Sequence, residues 1–352
     1  MLIVSIFLFD WHLYIFLLIY LPKERGILMT ELKGFDAYEG KIILGYSWQK
    51  RNGLIVPTAP EINIPKINKK YFTWAKKLTD LNAREYLENE FISLDQNEIL
   101  QRAAYIIANL LGEAALDDFT NFLETIEIID VPNVLDGVVL ETLDPNTNER
   151  KMHKTCIPNI NVEAHVIVLV HEFIHYYSKL RKVEDLSKQF YLEILSVFLE
   201  KYSIEKLRGI VSDKDFEKKM ISNRLYGTLY HFNEVPTSTK EAIEEYNRLK
   251  KLGNKDLLNK IEELLPWIKS KETIDDMWDY RACQRDSYGL GYLYSDALLE
   301  KCLDDEQNVK TNIKKYFDGE KTIEELLKYY DIRADKFELY DKSYNRTKSL
   351  LK

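Results

Sequence analysis

The chain has 352 residues, enough for one large domain or two ordinary ones. Its net charge of −8 is spread along the sequence with no long basic block, which argues against nucleic acid as a partner. Three widely spaced cysteines, Cys156, Cys283 and Cys302, argue against a disulfide framework and against zinc-finger spacing, and point to a reducing, cytoplasmic compartment.

Met1 to Leu21 is apolar apart from Asp10 and His12, and a bilayer takes about 20 such residues to cross. There is no basic leader region and no small-residue cleavage site, so a cleaved signal peptide is not expected. As an anchor, the run followed by Lys23 and Arg25 would leave a cytoplasmic body. The other reading is a non-native extension: Met29-Thr-Glu-Leu resembles the start of a soluble protein, and Asp10 at mid-membrane depth is costly. Residues 1–28 are therefore set apart from the body.

From Met29 to Pro65 the pattern is irregular and punctuated by Pro57, Pro60 and Pro65. From Lys66 to Ile126 a helical period takes over. Asp95 to Glu98 reads as a capping box, the run Ile99 to Leu111 follows at helical spacing, and Gly112 can end it. Ile126 to Val131 and Val138 to Leu143 read as strands, Pro145 to Asn148 as a turn, and Lys151 to Ile157 as a returning strand whose edge could pair with an extended peptide. Asn161 is positioned to cap the next helix. Beyond it the pattern is helical, with breaks expected near Gly209, Pro236, Gly253, Pro266 and Gly319. The expected fold is mainly α with a small β-sheet. It divides into an N-terminal helical region with short strands (29–150) and a second region (151–352) that carries the chemistry.

That chemistry lies in His171-Glu172-Phe173-Ile174-His175. Residues i and i+4 of a helix share a face, so both imidazoles can bind one metal ion, and Glu172 beside them can take a proton from water at that metal. An accidental HExxH is expected on the order of once in a hundred chains of this composition, so the spacing carries chemical meaning. Catalytic zinc sites usually have three protein ligands and an open position. If the helix ends near Leu180 and a second returns antiparallel after a turn at Lys182 to Asp185, Glu193 faces both histidines. Glu200 then lies about two turns further on, suited to a supporting contact. Glu184 and Asp185 fall in the turn, too far from the metal. Glu193 and Glu200 as ordinary solvated helix residues remain the alternative. His165 faces elsewhere on the helix and reads as structural.

HEFxH followed by E-x-x-S-x-x-x-E resembles the thimet oligopeptidase and oligoendopeptidase F family of zinc peptidases. Tyr288-Gly-Leu-Gly-Tyr-Leu-Tyr-Ser-Asp296 is similar to that family's Tyr/Gly-rich segment over the substrate, and Phe317 to Leu327 is similar to its C-terminal end. The resemblance covers roughly Val138 to the C-terminus. It implies a helical, zincin-like, gluzincin-type fold, one Zn²⁺ on His171, His175 and Glu193, Glu172 as general base, and Glu200 at the second acidic position. It also implies Tyr288 and Tyr292 as phenols that steady the tetrahedral intermediate. No histidine precedes Tyr288 at the family's distance; Arg281, Gln284, Arg285 and Asp286 stand there, and His231 is a candidate replacement. Among 23 tyrosines, a packed tyrosine stripe competes with a catalytic pair.

The expected activity is zinc-dependent hydrolysis of peptide bonds in oligopeptides or unfolded segments. The alternatives are a catalytically silent zinc-binding module of the same fold and a zinc hydrolase of another amide. The expected partner is the peptide substrate, with a membrane only if residues 1–21 are an anchor; oligomeric state is left open.

Overall fold

The computed structural model describes residues 42–44, 48–51, 54–57, 69–81, 91–129, 138–143, 150–158, 160–183 and 191–351. The apolar segment 1–28, the turn at Pro145 to Asn148, and Glu184 and Asp185 lie outside them. Strands are β1 (Ile42–Leu44), β2 (Trp48–Arg51), β3 (Leu54–Pro57), β4 (Ile126–Ile129), β5 (Val138–Leu143) and β6 (Arg150–Pro158). Helices are α1 (Lys69–Thr79), α2 (Gln96–Leu111), α3 (Ala115–Glu124), α4 (His165–Leu180), α5 (Leu192–Leu207), α6 (Phe216–Leu252), α7 (Lys255–Leu264), α8 (Lys271–Asp304), α9 (Glu306–Phe317), α10 (Ile323–Tyr329) and α11 (Phe337–Leu350). The fold is mainly α with a small sheet.

The chain forms two compact units that interleave in sequence. The first comprises Met1–Glu61, Leu140–Lys154 and Asn233–Ala282; the second comprises Ile62–Val139, Thr155–Phe232 and Cys283–Lys352. In the first unit the strands run in the order β3-β2-β1-β5-β6, with β2 and β3 antiparallel (Trp48 opposite Pro57) and β1 antiparallel to β5. Its buried apolar cluster is Tyr246, Leu249, Ile261, Leu265, Ile268 and Met277.

In the second unit the last residues of β6 pair in parallel with β4, Ile126 opposite Thr155. Strand β6 therefore has a neighbour on each side. On the β4 side the pairing covers β6 from Thr155 to Pro158, so the edge expected there for an extended peptide is occupied over those four residues. Helix α4 is buried from His165 through Ile174 and again from Tyr176 through Lys179. An apolar helix of this kind has to be enclosed on all sides. Phe173 and Tyr176 pack with Phe119 and Phe122 of α3, and α2 and α5 lie alongside as well. The site helix is thus held rigidly by a close-packed interior.

Local signals differ from the expected ones at three places. Asp95 does cap α2, accepting from the Asn97 N–H at 2.9 Å, but Glu98 pairs with Arg102 instead of reaching back. Asn161 is not the cap of α4: a turn intervenes and the helix begins at His165, whose Nδ1 accepts from the backbone N–H groups of Asn161 and Val162, both at 3.2 Å. Pro236 lies inside α6 and does not end it. Proline lacks the N–H that would bond the carbonyl of Phe232, and the division between the units falls directly after Phe232. Among the described residues, no helix is long and apolar enough to cross a membrane.

Candidate metal centre

Helix α4 ends at Leu180, the chain turns through Lys182 in a left-handed conformation (φ 55°), and α5 begins at Leu192. This arrangement brings His171, His175 and Glu193 together, each with a ligand atom within 4.8 Å of the others. The two Nε2 atoms are 3.1 Å apart. Glu193 Oε2 is 3.5 Å from Nε2 of His171, and its Oε1 is 3.8 Å from Nε2 of His175. A cation bound about 2.1 Å from tetrahedral donors spaces them roughly 3.4 Å from one another. The donor set and its spacing therefore fit a divalent metal ion. Glu193 sits in the first turn of α5, where the helix dipole favours a carboxylate. Ser196 Oγ donates to both its carbonyl and its Oε2, at 3.2 and 3.3 Å.

Glu172 is buried, with Oε1 3.9 Å from Nε2 of His171. It stands beside the two histidines without belonging to the converging group. His175 and Glu193 are partly exposed, so solvent reaches the group from their side.

Glu200, two turns along α5, has Oε1 2.6 Å from Nδ1 of His171. Arg224 of α6 holds the same carboxylate through both of its oxygens, with Nε donating to Oε2 at 2.7 Å and the second donor reaching Oε1. Burial alone would push the His171 ring down, but the Glu200 charge, joined by Glu193 and Glu172, raises it to about 9. Burial likewise opposes ionisation of Glu200, yet Arg224 and His171 hold it at about 2. His175 goes the other way, pushed down by burial and by the neighbouring His171. A cavity of about 10 Å³ adjoins His171, Glu172, Glu200 and Arg224, at the lower limit of what admits one water. Arg224 was not among the residues singled out from sequence. Nothing about an arginine within a helix distinguishes it until that helix is seen to cross Glu200.

The two tyrosines part company. Tyr288 stacks flat on His231, ring centroids 4.0 Å apart and planes 5° from parallel, and its phenol couples electrostatically to Arg224. Tyr292 is not brought to the metal group. It is 1% exposed, its hydroxyl shares a hydrogen bond with Thr347 Oγ1 at 2.9 Å, and its ring lies under the Lys201 ammonium. Burial keeps its phenol protonated well above the usual range. Tyr292 belongs to the interior: one turn beyond Tyr288 along α8, it packs against Trp74 and meets Thr347 of α11.

No family model matches the chain, and no curated protein matches it. Among solved structures the chain is similar to one described as a "putative peptidase" from Chlamydophila abortus. The TM-score is 0.43 at 13% identity, over 80% of this chain and 55% of that one. The chain thus spans little more than half the length of that protein.

Proposed function

We propose that this protein is a zinc metallopeptidase that hydrolyses peptide bonds in oligopeptides or unfolded segments, working in a reducing, cytoplasmic compartment. The observation that carries the reading is the convergence of His171, His175 and Glu193, with Glu172 alongside. His171, His175 and Glu193 would hold a zinc ion, which would supply Lewis acidity toward water and a substrate carbonyl. Glu172 accepts the proton of the attacking water on its carboxylate and delivers it to the leaving amine. Glu200, anchored by Arg224, keeps Nδ1 of His171 as the protonated nitrogen and so leaves Nε2 free to ligate. Tyr288, backed by His231 and beside Arg224, is the phenol assigned to the developing oxyanion.

The test is incubation of the purified protein with quenched peptide mixtures, with and without a chelator, alongside its metal content. Cleavage that stops on chelation and returns with zinc supports the proposal. Cleavage indifferent to chelator counts against it, and zinc binding without any cleavage assigns the chain to the silent-module alternative.

A further inference from the structure

The segment Tyr288-Gly289-Leu290-Gly291-Tyr292 lies inside α8, where glycine is entropically unfavourable and offers nothing to pack. Two residues apart on a helix, the glycines point to nearly opposite sides. A Cβ at Gly289 would fall 1.9 Å from the Tyr71 hydroxyl and 2.8 Å from the Phe232 ring. A Cβ at Gly291 would fall 2.6 Å from the Cβ of Glu193 and 3.1 Å from its carbonyl carbon and oxygen. The first contact is with side-chain rings. The second is with the backbone and first side-chain carbon of one residue, the carboxylate ligand, which cannot swing aside.

We propose that Gly291 is a positioning residue for the metal group: its missing side chain lets α8 seat directly on Glu193, and that seat sets where the carboxylate sits. The proposal rests on His171, His175 and Glu193 being metal ligands. Metal–ligand distances in a well-formed site hold to within about 0.2 Å of their usual values. A side chain at position 291 forces α5 and α8 apart at the one residue that must reach both histidines. Ser196 holds Glu193 from within α5, and Gly291 bounds it from outside.

The experiment measures zinc affinity by competition with a chromophoric chelator in wild type, Gly291→Ala, Gly289→Ala and Glu193→Ala, together with the melting temperature of each metal-free protein. Gly291→Ala is expected to bind zinc on the order of tenfold more weakly or worse, the range typical when a group that orients a ligand is lost. Gly289→Ala is expected to melt earlier while keeping wild-type zinc affinity. Wild-type zinc affinity in Gly291→Ala, with zinc lost in Glu193→Ala, overturns the positioning role and leaves the metal site standing. Zinc affinity unaltered in Glu193→Ala removes the metal reading itself. If Gly291→Ala does not fold, the double variant Glu193→Gly/Gly291→Ala decides, because it deletes the Cβ that the alanine meets. Recovery of folding in the double variant supports the contact, and no recovery overturns it.

Discussion

The Glu200 carboxylate stands 2.6 Å from Nδ1 of His171 while Arg224 grips it from the other side. Three helices thereby contribute to the orientation of one imidazole. A ligating histidine whose second nitrogen faces a carboxylate has its tautomer and ring plane fixed, and the carboxylate makes it a better donor. Glu200→Gln should therefore weaken zinc binding by about 10- to 100-fold without abolishing it. Chelator competition on Glu200→Gln and Glu193→Ala checks the ranking: the second must lose more than the first. Equal losses would place Glu200 among the ligands.

Glu172 is buried against the ligand pair but is not one of the three converging groups. Glu172→Gln should retain metal at the wild-type level. Its turnover on a cleaved peptide should fall by about 10²- to 10⁴-fold, the usual contribution of a positioned general base. Metal analysis and rates on the same preparation decide the matter, and metal loss would contradict the assigned role.

The contrast between Tyr288 and Tyr292 yields a paired prediction. Tyr288→Phe should lower kcat by about 10²- to 10³-fold with KM little changed, as expected when one oxyanion donor is removed. Tyr292→Phe should leave kcat alone and cost about 1 kcal/mol of stability, from the lost buried hydrogen bond to Thr347. Steady-state kinetics and urea unfolding separate the two. Reduced kcat in Tyr292→Phe with intact stability would reverse the assignment.

Glu306, at the start of α9, bridges Lys206 and Lys310 and accepts from the Tyr202 hydroxyl. Partial burial opposes its charge, but these partners hold its pKa at about 2, below the ordinary 4.5. Because the folded value is the lower one, its contribution to stability is present above pH 4.5 and is lost as pH falls toward 2. Glu306→Gln should flatten stability against pH across that window while remaining less stable than wild type at neutral pH. The group is partly exposed, so added salt should shrink the difference. Chemical unfolding between pH 2 and 7 measures both. An unchanged acid slope in the variant would show that other carboxylates govern it.

What the sequence determined by itself was whatever neighbouring residues settle among themselves. His171 and His175 share a face through helical periodicity alone, whatever surrounds the helix. Strand β5 matches its expected span, and Gly112, Gly209, Gly253 and Gly319 all adopt positive φ at helix ends. Glu193 was reachable by a hairpin argument, although the connection between the two helices runs from Arg181 to Tyr191 and is longer than the expected turn at Lys182 to Asp185. Only the tertiary structure decided the rest. Arg224 reaches Glu200 from another helix, Gly291 meets Glu193 from about a hundred residues away, and Tyr288 and Tyr292, one turn apart on α8, meet different neighbours, His231 and Thr347. The two units interleave along the chain, and Pro236 remains inside a helix that its local signal would end. Periodicity and capping are short-range properties, written in adjacent side chains. Which helices cross, and at which residue they touch, depends on how a whole unit buries its apolar surface, and no local stretch of sequence carries that information.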